Sequence, residues 1–449
     1  MLTFEPSMQA NASLKERVIW VLFMGTVFFL LYGAANEMAS LTGPHPSFYF
    51  EWEKSIDFIP IFIIPYMSSD LVFVIAFLLP QTRIELRTLA LRVLFIILLS
   101  VIVFILMPLE FAFEKPVTDQ FSLLFKLLEA DKPFNQLPSL HISFAIVFWA
   151  SMKNTLSNHI VKSVLLCWLL MIMLSTLFVY QHHFIDIPTG LAVGILAVCL
   201  IRKETKMSAL TQFMTPRHLK MASYFLALSI VLILLSFALS PVFLYFFICT
   251  FSVSVIYAFG YNHLLDITYK KARLIRWIIF LPYFLGCKIS WMLYKPSLPL
   301  LSKVENNVYF GRHPSLPEYV TIKQLGVKQV INLATELPLN KTALIQHRFS
   351  FLDQTIQCPE AIHKVVMLIE KHKSDGIYVH CALGLSRSVI VIWAWQLFNG
   401  KSHEEIREHL NEIRPNYVQS KYMAVNIALY ENFLKSKANY YNESRNSPI

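Results

Sequence analysis

Cys381 and Arg387 stand six residues apart in Val379-His380-Cys381-Ala382-Leu383-Gly384-Leu385-Ser386-Arg387-Ser388. The apolar run from Gly376 to Val379 reads as a short buried strand ending at His380, and Val389 to Phe398 reads as the helix that follows. A loop entering a helix N-terminus is an anion site, because unpaired backbone N–H groups and the positive end of the helix dipole point at the ligand. Gly384, Leu385 and Ser386 supply that phosphate-binding backbone. The same field favours the thiolate of Cys381, and Arg387 offers a planar fork to two phosphate oxygens. A thiolate facing an anion cradle closed by an arginine is equipped to hydrolyse phosphate esters.

A second set of reactive residues lies far upstream. Asn135-Gln136-Leu137-Pro138-Ser139-Leu140-His141 opens one apolar run, and Gln181-His182-His183-Phe184-Ile185-Asp186 directly follows the next. The two runs form a hairpin, so both polar patches emerge on one face. Histidines and a carboxylate at a membrane boundary are costly enough to imply function. His182 and Asp186 are one helical turn apart, which lets the carboxylate hold the far N–H of the imidazole and fix its tautomer. His182 would then attack a phosphorus atom, and His141 would protonate the leaving group.

These residues need a scaffold, and the composition says which kind. Of 449 residues, 55% are hydrophobic and 15% charged, with a mean hydropathy of +0.52. That is a membrane protein with room for two or three domains. Runs suited to crossing a bilayer lie near Val18–Ala35, Ile59–Leu79, Leu89–Met107, Ser139–Met152, Val161–Tyr180, Ile187–Ile201, Met221–Leu239 and Pro241–Gly260. The net charge of +10 sits in the short loops between them, without the aromatic interleaving of a nucleic-acid surface. Lys15 and Arg17, Arg83, Arg87 and Arg92, Lys153 and Lys162, Arg202, Lys203 and Lys206, and Lys270, Lys271 and Arg273 fall on one side if every run crosses. The positive-inside rule makes that side, with the N-terminus, cytoplasmic. Trp277–Tyr294, interrupted by Pro282 and Lys288, reads either as a ninth span or as a helix lying in the interface. The second reading is favoured, since it keeps Cys381 in the reducing cytoplasm. After Lys295-Pro296-Ser297 the pattern becomes a soluble α/β alternation, long enough for its own core.

The six cysteines show neither a disulfide framework nor metal-ligand spacing. Cys358 reads as an inert buried thiol, with a reversible disulfide to Cys381 as the alternative.

His380-Cys381, five residues, Arg387 and Ser388 resemble the signature loop of the cysteine-dependent tyrosine and dual-specificity phosphatases, over roughly Val304 to Leu434. The resemblance implies a phosphocysteine intermediate with Asp353 as general acid, on the loop Phe351-Leu352-Asp353-Gln354-Thr355. It also implies that the Ser388 hydroxyl steadies the thiolate and that His380 orients the loop. Tyr309-Phe310-Gly311-Arg312 and Val330-Ile331-Asn332-Leu333 are similar to that family's early strands, with Arg312 structural. Pro138-Ser139-Leu140-His141, Ser175 and His182-x-x-x-Asp186 resemble the type 2 phosphatidic acid phosphatase superfamily. That likeness makes His141, His182 and Asp186 catalytic, with Ser139 and Lys115 as phosphate contacts and His183 in a non-catalytic aromatic position. Thr176 stands where that family has an arginine, and its first motif is reduced to Lys115-Pro116. Both changes lean towards the branch that resembles lipid head-group synthases.

The expected architecture is a polytopic helical membrane domain with a six-helix phosphatidic acid phosphatase-like core (1–205), two or three further helices and a linker (206–295), and an α/β dual-specificity phosphatase-like domain (296–449). The expected function is that of a membrane-bound phosphoric monoester hydrolase with a histidine site at the outer face and a cysteine site in the C-terminal domain. Its partners would be the membrane and a phosphorylated lipid, with a phosphoprotein or a soluble phosphate ester open for the second site. Tethering at a bilayer favours a lipid monoester there too. Alternatives are a head-group phosphotransferase in the membrane half and a membrane-tethered phosphate-binding module. No metal, cofactor or nucleic acid is expected, and the setting would be a bacterial inner (plasma) membrane with the C-terminal domain in the cytoplasm.

Overall fold

The computed structural model describes residues 11–446 except Ala130, Asn154, Arg202, 204–214, 269–272, Asn306 and 338–342, with side chains as far as Lys437. Of the basic residues sorted above, Arg202, Lys206, Lys270 and Lys271 lie outside the described residues. The chain divides into two compact units, Met8–Lys206 and one that includes Met207–Ile449.

The N-terminal unit is helical, with α1 (Leu14–Thr42), α2 (Ile63–Leu78), α3 (Arg83–Leu106), α4 (Ser122–Leu128), α5 (Leu140–Met152), α6 (His159–Phe178) and α7 (Asp186–Leu200). Side chains start several of them. Ser13 accepts from the Glu16 N–H at the head of α1, Thr82 and Glu85 form a reciprocal capping box on α3, and Asn158 caps α6. These bonds satisfy N–H groups the helices cannot pair themselves. α1, α3 and α6, and α2 extended back to Pro60, are long and apolar enough to cross a membrane.

α5 and α7 are shorter, with 13 and 15 residues, or roughly 20 Å each at 1.5 Å per residue. Each is cut at its N-terminus by the polar patch that precedes it, so His141 is the second residue of α5 and Asp186 the first of α7. Close packing brings these ends together. A Cβ at Gly190 would lie 2.7 Å from the Ser139 carbonyl oxygen, and one at Gly194 would lie 2.9 Å from that of Ser143. This G-x-x-x-G stripe lets the two backbones touch, and Ser143 Oγ donates to the Gly190 carbonyl at 2.9 Å.

The basic loops gather at the other end of the bundle. Arg17 donates to the Leu78 carbonyl, Arg83 pairs with Glu16, Arg92 donates to the Ile201 carbonyl, and Lys203 pairs with Glu85.

The C-terminal unit opens with a helical hairpin, α8 (Pro216–Ala238) and α9 (Val242–Phe259), followed by α10 (Arg273–Tyr294). Ser229 Oγ donates to Thr250 Oγ1 and Ser254 Oγ to the Ala222 carbonyl, an antiparallel register. α8, α9 and α10 also have the length and apolarity of a span, bringing such helices to seven among the described residues. Both ends of α10 are tied down. Arg276 donates to the carbonyls of Leu264 and Asp266, Asp266 pairs with Arg348, and Trp291 Nε1 donates to the His313 carbonyl.

The α/β part follows as β1 (Leu301–Glu305), β2 (Val308–Arg312), α11 (Glu318–Gln324), β3 (Gln329–Asn332), β4 (Ile345–Arg348), α12 (Pro359–His372), β5 (Ile377–Cys381), α13 (Arg387–Phe398), α14 (His403–Ile413) and α15 (Lys421–Asn446). Its sheet order is β1-β2-β5-β3-β4, antiparallel only between β1 and β2. Strand alternation divides the core between two faces. Phe310, Ile331 and Val379 share a cluster with residues of α12, α13 and α15, whereas Tyr309, Val330 and Tyr378 pack with Tyr319 and Ile322 of α11. A sheet covered on both faces leaves the C-terminal ends of its parallel strands free for a site.

Candidate functional site

The loop from β5 into α13 is held open by contacts its sequence demands. Gly384 has φ +71°, and a Cβ there would stand 2.4 Å from the Gly311 carbonyl carbon. Only glycine meets both conditions without strain. Arg414 Nη2 donates to the Leu383 carbonyl and Val418 N–H to that of Leu385. Ser386 Oγ lies 2.7 Å from the Tyr422 hydroxyl. Within the loop, Gly384 N–H donates to Cys381 Sγ at 3.2 Å, and Ser388 Oγ lies 3.4 Å from the same sulfur.

Arg387, buried at the first position of α13, is fixed by a carboxylate the sequence reading did not single out. Its Nη2 donates to Glu336 Oε1 at 2.7 Å and its Nη1 to Oε2 at 3.2 Å, with a further bond to the Phe351 carbonyl. Asp353 Oδ1 lies 3.2 Å from Arg387 Nε. Glu336 and Asp353, with Cys381 besides, hold the guanidinium well above its ordinary range, although burial acts the other way. Cys381, Arg387, Asp353, Glu336, Leu385 and Ser386 line one cavity.

His380 Nδ1 lies 3.3 Å from the Cys381 carbonyl oxygen, and its ring stacks on Tyr378. Burial first, then the neighbouring His313, pushes the His380 imidazole well below its usual value. Arg312 makes a two-point pair with Glu318 away from the phosphate loop. Cys358 caps α12 and packs with Ile356, while burial raises its thiol to about 11. It does not line the cavity of Cys381.

In the N-terminal unit, the rings of His141 and His182 face each other with centroids 6.0 Å apart and planes at 68°. His182 Nδ1 lies 3.1 Å from Asp186 Oδ2. The sequence spacing suggested a helical turn between them, but α7 begins only at Asp186. The contact is made by the turn ahead of the helix, where Tyr180 has φ +54°. Asp186 also accepts the His183 N–H at 3.0 Å, so one carboxylate closes the turn and holds the imidazole. His183 is occupied elsewhere. Its Nδ1 meets Glu53, its Nε2 accepts from Ala112 N–H, and its ring stacks on Phe111.

A cavity of about 520 Å3 adjoins the two histidines, lined also by Tyr32, Asp70, Asp131, Lys132 and Asn135. Asp131 accepts from the Tyr32 hydroxyl and Asn36 Nδ2, and burial raises its carboxyl above the ordinary value. Ser139 and Lys115 do not line this cavity. Ser139 Oγ is buried without a hydrogen-bond partner among the described residues, and Lys115 is exposed, with Asp131 within electrostatic reach. Ser175 and Thr176 spend their hydroxyls on their own helix, on the carbonyls of Ile172 and Met173.

Residues 308–433 match the catalytic domain of dual specificity phosphatases, and residues 89–209 match the PAP2 superfamily. The chain carries both domains. It is thus a phosphoric monoester hydrolase with several apolar helices. No curated protein matches the chain. Among solved structures, similarity extends to human DUSP28, at 17% identity and a TM-score of 0.29, over 31% of this chain and 99% of that one. PTPMT1 in complex with PI(5)P is 20% identical at a TM-score of 0.29, over 31% and 99%. Tk-PTP in its active form is 23% identical at 0.28, over 30% and 97%.

Glu336 of the dual-specificity domain follows β3, at the end of the sheet where ligand loops collect. A carboxylate in that loop was the available signal. For Asp131 of the PAP2 unit the signal was weaker, a lone acid in a loop before the Asn135 patch.

Proposed function

We propose that the chain is a membrane-bound phosphatase with two independent phosphoryl-transfer sites. In the dual-specificity domain, Cys381 Sγ attacks the phosphorus while the loop amides and Arg387 hold the equatorial oxygens. The phosphorus–oxygen bond breaks, and Asp353 gives its proton to the leaving alcohol. Water then attacks the phosphocysteine and passes a proton to Asp353. Inorganic phosphate departs as the thiolate re-forms, with Ser388 Oγ beside it. The observation that carries this reading is Arg387 gripped by Glu336 in the cavity that holds Cys381 and Asp353. The test is turnover of an aryl phosphate by full-length protein carrying His182→Ala. Activity that survives Cys381→Ser overturns it.

In the PAP2 domain, His182 Nε2 is the nucleophile, since Asp186 holds the opposite nitrogen. His141, across the gap, gives a proton to the leaving oxygen, and water completes hydrolysis through the phosphohistidine. Thr176 and the acidic residues around this cavity favour a second reading. A hydroxylated lipid replaces water, and the carboxylates receive a cationic head group. Product analysis separates the two, since a new phosphodiester lipid in place of free phosphate chooses the transferase.

The basic end of the N-terminal unit supports an orientation with that end cytoplasmic and the histidines at the outer face. The tethering of both ends of α10 supports a helix lying along the interface rather than crossing it, which leaves the dual-specificity domain in the cytoplasm. A reporter fused to the C-terminus tests this, and activity only outside the cell overturns it.

A further inference from the structure

The cavity of Cys381 does not stop at the phosphate loop. It holds about 970 Å3 and continues between α8, α9 and α10. That is the size of a site enclosing a whole drug-sized ligand, far beyond a phosphate group. Met221, Phe225 and Leu232 of α8 line it at helical spacing, with Val253 of α9 and Gly286 of α10 among the facing positions. All three helices have the length and apolarity of membrane spans. At the junction with the catalytic loop stands Arg217, whose Nε donates to the Gln354 carbonyl at 2.9 Å and whose guanidinium lies over the Tyr422 ring. Lys421 lines the same junction. The path therefore runs from an apolar trough, past cations, to an anion cradle. Cations at this level favour an anionic head group.

We infer that the Cys381 site takes a lipid phosphomonoester whose hydrocarbon chains lie in the trough between α8, α9 and α10 while its phosphate sits in the loop. This rests on the reading of Cys381 as a phosphatase nucleophile. The ester bond to phosphorus is cleaved, the lipid alcohol keeps its chains in the apolar phase, and inorganic phosphate leaves through the soluble domain. A phosphorylated protein segment has no use for such a trough.

Gly286 supplies the probe, because a Cβ there meets nothing within 4 Å. Gly286→Trp adds an indole at a position that lines the trough and has open space at Cβ. The assay uses full-length protein with His182→Ala, in phosphatidylcholine vesicles, against dioleoyl phosphatidic acid and para-nitrophenyl phosphate. The expected result is a fall of about tenfold or more in kcat/KM for the lipid with aryl phosphate turnover kept within about twofold, since that substrate has no chain to seat. Equal retention of both activities overturns the inference. If both fall together, the protein with Gly286 intact decides through a series of acyl lengths. A rise of about tenfold from dihexanoyl to dioleoyl phosphatidic acid supports the trough, and a flat series overturns it. A phosphotyrosine peptide turned over as fast as the lipid, with no effect of Gly286→Trp, overturns it too. Absence of aryl phosphate turnover with Gly286 intact removes the phosphatase reading beneath it.

Discussion

The two units set pairs of histidines in different surroundings. In the dual-specificity domain, His313 and His380 lie with ring centroids 5.2 Å apart and both are buried. In the PAP2 unit, His141 and His182 stand 6.0 Å apart beside a cavity, one of them backed by a carboxylate. Separation does not distinguish the pairs. Access to a cavity and a fixed tautomer do. The same contrast extends to charge. Around Cys381 stand a guanidinium and a backbone N–H of its own loop, whereas around His182 stand a second imidazole, carboxylates and Lys132.

The sharpest way to break this comparison is to remove each nucleophile alone. Cys381→Ser, in a His182→Ala background, is expected to lower aryl phosphate turnover about 10^4-fold or more, measured as phosphate release. Retained turnover would show that the loop is not the reactive site. Asp186→Asn, with Cys381→Ser as background, is expected to cost about 10^3-fold in release of phosphate from phosphatidic acid, because the amide can hold the wrong imidazole tautomer. A loss below tenfold would leave Asp186 as a turn-closing residue only. Arg387→Lys loses the fork that meets both Glu336 and phosphate, and a drop of about 10^2-fold in kcat is expected. Glu336→Gln keeps the shape but not the charge, and about tenfold is expected, in line with other groups that position a reactive residue. An effect of Glu336→Gln larger than that of Arg387→Lys would assign the carboxylate a direct part in the chemistry.

The smallest effect concerns stability. Burial, with Arg312 nearby, lowers the His313 imidazole from 6.5 to about 4. The unfolded chain therefore binds more protons than the folded one between these values. The contribution is complete above pH 6.5 and declines as pH falls towards 4. Thermal unfolding of full-length protein in detergent should show that decline, and His313→Gln should flatten it by about 1 kcal/mol or more. An unchanged slope would remove His313 from the list of acid-sensitive groups.

The legibility of each site follows from how far apart its parts lie in the chain. Cys381, Gly384, Arg387 and Ser388 belong to one strand-loop-helix unit, so their spacing alone implied the cradle. The Gly384 backbone and the Ser388 contact with sulfur follow directly from it. Glu336 is 51 residues from its arginine, and only the pairing of β3 beside β5 brings them together. In the PAP2 unit, His141 and His182 were readable as a pair because a hairpin joins them, but the cavity they face also needs Tyr32 and Asn36 of α1. The helical turn expected between His182 and Asp186 failed for a local reason. The side chain of Asp186 accepts the His183 N–H, and that bond belongs to a turn, which starts the helix at Asp186 instead of carrying it through.

By itself the sequence determined that this chain carries membrane-type helices and two phosphatase domains, since the motifs of each are short-range patterns in chain order. Tertiary structure decided what surrounds them. The carboxylate that steers Arg387, the acidic wall near His182 and the trough between α8, α9 and α10 arise from side chains distant in sequence. Their meeting is set by sheet order and helix packing, which no local spacing encodes.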